Sequence, residues 1–211
     1  MVNDKTELRS RLLATRATLS PEQRQDAARA LGGHALGLLP TGRPAVVAGY
    51  VSIGAEPGTR ALLDALRARG ARVLLPVLLP DNDLDWAVYE GAGSLVRAGR
   101  GLLEPEGARL GPEAVCTADL VLLPGLAVDR SGIRLGRGGG SYDRVLARLG
   151  RAGSPARLVT LLYDGELLED VPAESHDRAV DAAVTPSGLF VFSAADPGAA
   201  DPGGTGSGAT A

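Results

Sequence analysis

The sequence is poor in several things, and each shortage excludes a class of protein. There is one cysteine, Cys116, so no disulfide can form within the chain. A reducing compartment is the simplest reading, and Cys116 itself, just ahead of an apolar run, reads as a packing residue. Aromatic residues make up 3% of the chain, so the core must be built from Leu, Val and Ala. No apolar run approaches the roughly 20 residues that cross a bilayer. The N-terminus is charged from Asp4 onward, unlike a secretion signal. Positive charge is not in excess: the formal net charge is −3, which gives no general affinity for nucleic acid or other polyanions. His34 and His176 are the two histidines and have no metal-type spacing. His34 reads as structural and His176 as a candidate neighbour of a site. Lysine is nearly absent: of 22 cationic side chains, Lys5 is the only lysine. A soluble, cytoplasmic protein is the expectation.

What is present is a hydrophobic content of 45%, arranged as apolar strands alternating with helices. A first helix starts near Asn3 or Asp4. Ser20-Pro21 is an N-cap followed by proline at the first helical position, which starts a second. Apolar or alternating runs at 45–52, 72–80, 84–90, 118–129, 156–164 and 181–186 read as strands. Helical patterns fill 59–70 and 142–149, and 95–107 reads as a loop-rich connection. This pattern predicts an α/β fold, a three-layer Rossmann-like domain with a mostly parallel sheet flanked by helices. The domain is expected over 1–193. Residues 194–211 are low-complexity and predict a disordered tail.

Four places could carry chemistry. In the first helix, Leu8, Leu12 and Leu19 form one stripe, and Lys5, Arg9 and Arg16 lie beside it. Cations there either snorkel at the margin of the core or aim at an anionic ligand. The segment "RSGIRLGRGGGSYDRVLARLG" follows a strand and leads into a helix. A glycine-rich turn feeding a helix N-terminus can close its backbone on phosphate oxygens, and Arg134 and Arg137 add full charges. Ser141 is the expected N-cap. No Gly-Lys-Ser/Thr follows, so this is not a P-loop, and the third glycine of a dinucleotide fingerprint is missing. Asp143, in the first turn of that helix, would be repelled by a phosphate unless a cation intervened, and Mg²⁺ is the natural mediator. Asp177 and Asp181 are candidates for a second carboxylate, Asp181 being favoured because it precedes a strand. Glu56 sits in a loop after a strand, placed to accept hydrogen bonds from the amino groups of a heterocycle.

The order "K-x-x-L-R", "Y-V-S-x-x-x-E-x-x-T", "R-V-L-L-P-V", "G-L-L-E-P", "L-L-P-G-L-A-V-D-x-x-G-x-R-L-G-x-G-G-G-x-Y-D-R" and "H-D-x-x-V-D" resembles the 5-formyltetrahydrofolate cyclo-ligases, up to about Thr185. The resemblance implies conversion of 5-formyltetrahydrofolate to 5,10-methenyltetrahydrofolate, with ATP split to ADP and phosphate. It implies ATP contacts from Lys5, Arg9, Arg134, Leu135, Gly136, Arg137, Gly138, Gly139, Gly140, Ser141 and Tyr142, with Lys5 and Arg137 catalytic. Folate contacts would come from Val51, Glu56, Arg137, Gly138, Gly139, Gly140 and Ser141, and Mg²⁺ ligands from Asp143 and Asp181. Trp86 and Tyr50 would line an apolar slot. A monomer acting on a small molecule, without nucleic-acid or membrane partners, is expected. Ser141 departs from the family pattern, which commonly has a tyrosine there. A folate-binding paralogue without activity, and a dinucleotide- or sugar-phosphate-binding enzyme, are the competing readings.

Overall fold

In the computed structural model the described residues are 4–174 and 177–192. His176 and the tail at 194–211 lie outside them. Two helices come first, α1 (Asp4–Thr18) and α2 (Pro21–Leu36). The break between them is chemically defined: Ser20 Oγ accepts the Gln23 N–H at 3.1 Å and Gln23 Oε1 accepts the Ser20 N–H at 2.8 Å, a reciprocal cap. Then follow β1 (Val46–Ala48), α3 (Arg60–Ala68), β2 (Arg72–Leu78), β3 (Leu84–Val88), β4 (Leu95–Arg97) and β5 (Leu103–Pro105). After a 3₁₀ turn at Pro112–Thr117 come β6 (Leu120–Pro124), β7 (Ala127–Asp129), β8 (Arg134–Leu135) and α4 (Ser141–Arg151). The chain continues through β9 (Arg157–Leu161), β10 (Leu167–Leu168), β11 (Ala182–Thr185) and β12 (Gly188–Val191).

The main sheet has the order β12-β11-β9-β6-β1-β2-β3. Its five central strands are parallel and its two edges antiparallel. Alternation along β6 makes the three layers. Leu120 and Leu122 meet Leu31 of α2 and Leu62, Leu63 and Leu66 of α3 on one face. Val121 and Leu123 meet Val145, Leu146 and Leu149 of α4 on the other. Each such side chain, fully buried, stabilises the fold by roughly 1.5–3 kcal/mol. Cys116 is half-buried and packs on the α4 side, as expected. No helix among the described residues is long and apolar enough to cross a membrane.

The run 118–129 is two strands rather than one. A Cβ at Gly125 would stand 2.6 Å from Thr160 Cγ2, so only glycine lets the chain pass there and leave the main sheet. The continuation, β7, joins β8 and β10 in a small second sheet. On this sheet sits α1, with Leu8 and Leu12 packed among Leu126, Ala127, Leu135 and Val171. The 95–107 connection carries the antiparallel pair β4–β5.

An ion network holds α4 in place. Arg148, buried on α4, reaches Asp83 at 2.6 Å and Glu113 at 2.8 Å. The Arg148 hydrogen bond holds the Asp83 carboxyl below its ordinary range. Stability from such a group is present above the unfolded pKa, about 3.9, and is lost as pH falls through the lowered folded value. Asp83→Asn is therefore expected to cost about 2 kcal/mol at pH 7. Urea titrations across pH check this: the gap to the unsubstituted protein should narrow below about pH 4, and a pH-independent gap would contradict it.

Candidate active site

A crevice opens at the C-terminal ends of β1 and β6. The strand order reverses between them, with β2 and β3 to one side and β9 and β11 to the other. Ligands of open parallel sheets bind at such a point. The crevice holds a cavity of about 270 Å³, walled by Tyr50, Val51 and Glu56 after β1, by Pro124 at the end of β6, and by Arg134 and Gly136–Asp143. Pro76, Leu78, Leu84, Leu102 and Leu103 form an apolar wall beyond.

The glycine loop joins β8 to α4. The helix begins one residue before the expected position, and Gly140 rather than Ser141 is its N-cap, at φ 77° with no side-chain cap bond. A left-handed cap suits glycine, which has no Cβ to clash. The first-turn N–H groups are thus left without a capping side chain, and Gly140, Ser141, Tyr142 and Asp143 all line the cavity. These groups and the helix dipole favour an anion there.

Arg134 is buried behind the loop. It donates from Nη1 to Pro124 O at 2.9 Å and from Nη2 to Asp143 Oδ1 at 2.7 Å. Burial lowers its pKa and the Asp143 charge opposes that; a guanidinium starts high enough to stay charged. The Asp143 side chain remains 48% exposed. Arg9 of α1 donates from Nε to Gly136 O at 2.9 Å, fixing the loop from outside the cavity. Lys5 is buried and lies 2.9 Å from Asp177 and 3.4 Å from Glu174. Arg16, 2% exposed, donates two hydrogen bonds to Glu166, both 2.7 Å, and one to Gly125 O at 2.6 Å. These α1 cations do not snorkel; they point into the protein.

Glu56 faces the loop across the crevice. Its Oε2 accepts the Ile53 N–H at 2.9 Å and its Oε1 lies 3.3 Å from Arg137 Nη1. Burial, and then the Glu56 charge, push the phenols of Tyr50 and Tyr142 above their ordinary range, so both stay protonated and can donate hydrogen bonds. The Tyr50 hydroxyl and Arg134 Nε are buried without a hydrogen-bond partner among the described residues. Buried polar groups are rarely left so, and both belong to residues of the crevice wall.

The model of the 5-formyltetrahydrofolate cyclo-ligase family matches residues 1–186. The chain belongs to that family. Among its relatives, the 5-formyltetrahydrofolate cyclo-ligase of Mycolicibacterium smegmatis is 45% identical over 187 residues, covering 86% of this chain and 93% of the relative. The Escherichia coli cyclo-ligase is 32% identical, covering 83% and 96%. The solved structure of Aquifex aeolicus 5,10-methenyltetrahydrofolate synthetase superposes with a TM-score of 0.75 at 28% identity, over 89% of this chain and 92% of that one.

Most of the candidate residues for a cyclo-ligase site line the cavity; Lys5 and Arg9 do not line it, and three further candidates stand apart. Asp181 precedes β11, and its Oδ2 accepts the Leu158 N–H at 2.7 Å near the start of β9. Leu158 pairs with Val121, three residues before Pro124, about 10 Å along the strand from the crevice. Asp181 is therefore at the opposite end of the sheet from Asp143, and the two cannot hold one ion. Trp86 is fully buried among the core residues on the α4 side and does not reach the cavity. The Leu135 side chain packs against Leu8 and Leu12, so only its backbone belongs to the loop. Sequence reasoning missed Glu166, the partner of Arg16, and two cavity residues, Arg100 and Glu104.

Proposed function

We propose that the chain is an ATP-dependent cyclo-ligase that turns 5-formyltetrahydrofolate into 5,10-methenyltetrahydrofolate. The observation that carries this is buried Arg134 paired with half-exposed Asp143 at a glycine-rich helix N-terminus, opening on a cavity whose other wall presents Glu56. A formamide oxygen is a poor leaving group. Transfer of the γ-phosphoryl to it breaks the bond to ADP and makes an imidoyl phosphate. N10 then attacks the formyl carbon, phosphate leaves with that oxygen, and N10 loses its proton.

The protein's share is positioning and charge neutralisation, the main needs of phosphoryl transfer. The uncapped N–H groups of α4 and the loop backbone cradle phosphate oxygens. Arg9 holds the loop shut from behind, and Lys5 sits on the same helix to meet the triphosphate. Arg137, half-exposed at the crevice, neutralises the transferred group, while Glu56 accepts from the pterin amino groups and Val51 packs against the ring. Asp143 fits Mg²⁺: it is a hard oxygen donor, half-exposed on the wall, and Mg²⁺ needs only one or two carboxylates beside phosphate oxygens. When bound there, Mg²⁺ would supply charge neutralisation and orientation of the phosphates. Asp181 does not fit. The protein would work as a cytoplasmic monomer on a small molecule, without nucleic-acid or membrane partners.

The test is turnover. With 5-formyltetrahydrofolate and MgATP, the methenyl product should appear by its near-ultraviolet absorbance, with one ADP per product. Folate binding without any product would instead favour the inactive paralogue, a reading to which Ser141, a small residue in the cavity wall, lends the one specific support.

A further inference from the structure

Two non-glycine residues among those described have positive φ, Asn82 at 66° and Arg100 at 59°. Such backbone is uncommon outside glycine and collects at functional sites. Here the two touch: Arg100 Nη1 donates to Asn82 Oδ1 at 2.9 Å. Asn82 lies in the turn between β2 and β3, and Arg100 in the loop between β4 and β5. The hairpin is pinned where it stands, because Glu104 accepts the Leu78 N–H at 3.0 Å. Arg100 lines the cavity, is otherwise exposed, and has no ion-pair partner among the described residues.

The wall of the cavity changes character across the sheet. Arg134 and Asp143 stand at β6, Tyr50 and Glu56 after β1, Pro76 and Leu78 on β2, and Leu84 on β3, with Arg100 beyond. Three strand spacings separate β6 from β3, about 14 Å. The order is polar, then apolar, then cationic. A reduced folate has the same order: a hydrogen-bonding pterin, an apolar aryl ring and an anionic glutamate. We infer that Arg100, held by Asn82, is a specificity-determining residue that binds a carboxylate of the substrate's glutamyl tail. This rests on the cyclo-ligase reading. An arginine fork suits a carboxylate, and the bond to Asn82 holds the guanidinium at the mouth before the substrate arrives.

The experiment compares 5-formyltetrahydrofolate with 5-formyltetrahydropteroate, which lacks the glutamate, at saturating MgATP. Arg100→Gln is expected to raise KM for the glutamyl substrate about tenfold, with kcat and the KM for ATP unchanged. The KM for the pteroate should not move. Asn82→Gly keeps a residue at ease with positive φ but removes the amide that holds Arg100, and should give a smaller rise on the glutamyl substrate alone. An unchanged KM, an equal rise on both substrates, or a fall in kcat on both would overturn the inference while leaving the cyclo-ligase reading standing. No turnover by the unsubstituted protein would overturn both.

Discussion

Asp143→Asn should lower kcat by on the order of a thousandfold, the scale of losing one preorganised electrostatic group at a reacting centre. Asparagine keeps the size of the side chain and an oxygen that can accept from Arg134, whose Nη2 now reaches Asp143 at 2.7 Å. It removes the negative charge. Arg134 keeps its bond to Pro124 O, so the loop should stay folded and the melting temperature should shift little. On the proposed reading, what is lost is the carboxylate that would hold a divalent cation beside the phosphates. The dependence on Mg²⁺ should move with kcat, to higher concentrations. Turnover within tenfold of the unsubstituted protein would reduce Asp143 to an acid that merely complements the helix dipole.

Lys5→Ala is the second large effect. We expect the KM for ATP to rise about thirtyfold, the equivalent of roughly 2 kcal/mol for a charge-assisted hydrogen bond, with the folate KM nearly unchanged. The structure offers a competing role, since Lys5 lies beside Asp177 and Glu174. If those acids only use Lys5 to seat α1, the substitution should lower the melting temperature and leave the KM for ATP alone. Arg16, with its two bonds to Glu166, already anchors the helix, which is why the ligand role is expected to dominate. Steady-state kinetics at varied ATP beside a thermal melt separates the two.

Much of this site could be read from residue order, because its signals are local. Strand, glycines and helix follow one another within twenty residues, and Asp143 and Glu56 belong to loops or helix starts that the pattern locates. The failures are of long range. Asp181 precedes a strand, and in a parallel sheet a residue before a strand lies at the end opposite to residues after one. Register supplies that fact: Ala182 pairs with Val159, and Leu158 with Val121. Trp86 alternates correctly in β3, but which face is core depends on the 3₁₀ turn and α4 packing there. The partner of Arg16 is 150 residues away, beyond any helical period. The β4–β5 pair was hidden because each strand is three residues long and glycines flank the hairpin turn. The fold class survived these errors because layer architecture depends on the alternation of apolar segments, which a shifted helix start does not alter.

The central claim is that the formyl oxygen is phosphorylated before N10 closes the ring. Turnover of 5-formyltetrahydrofolate carrying ¹⁸O in the formyl group tests it most directly, with mass spectrometry of the phosphate released. The account predicts one ¹⁸O in each phosphate. Recovery of the label in water, with unlabelled phosphate, would contradict it.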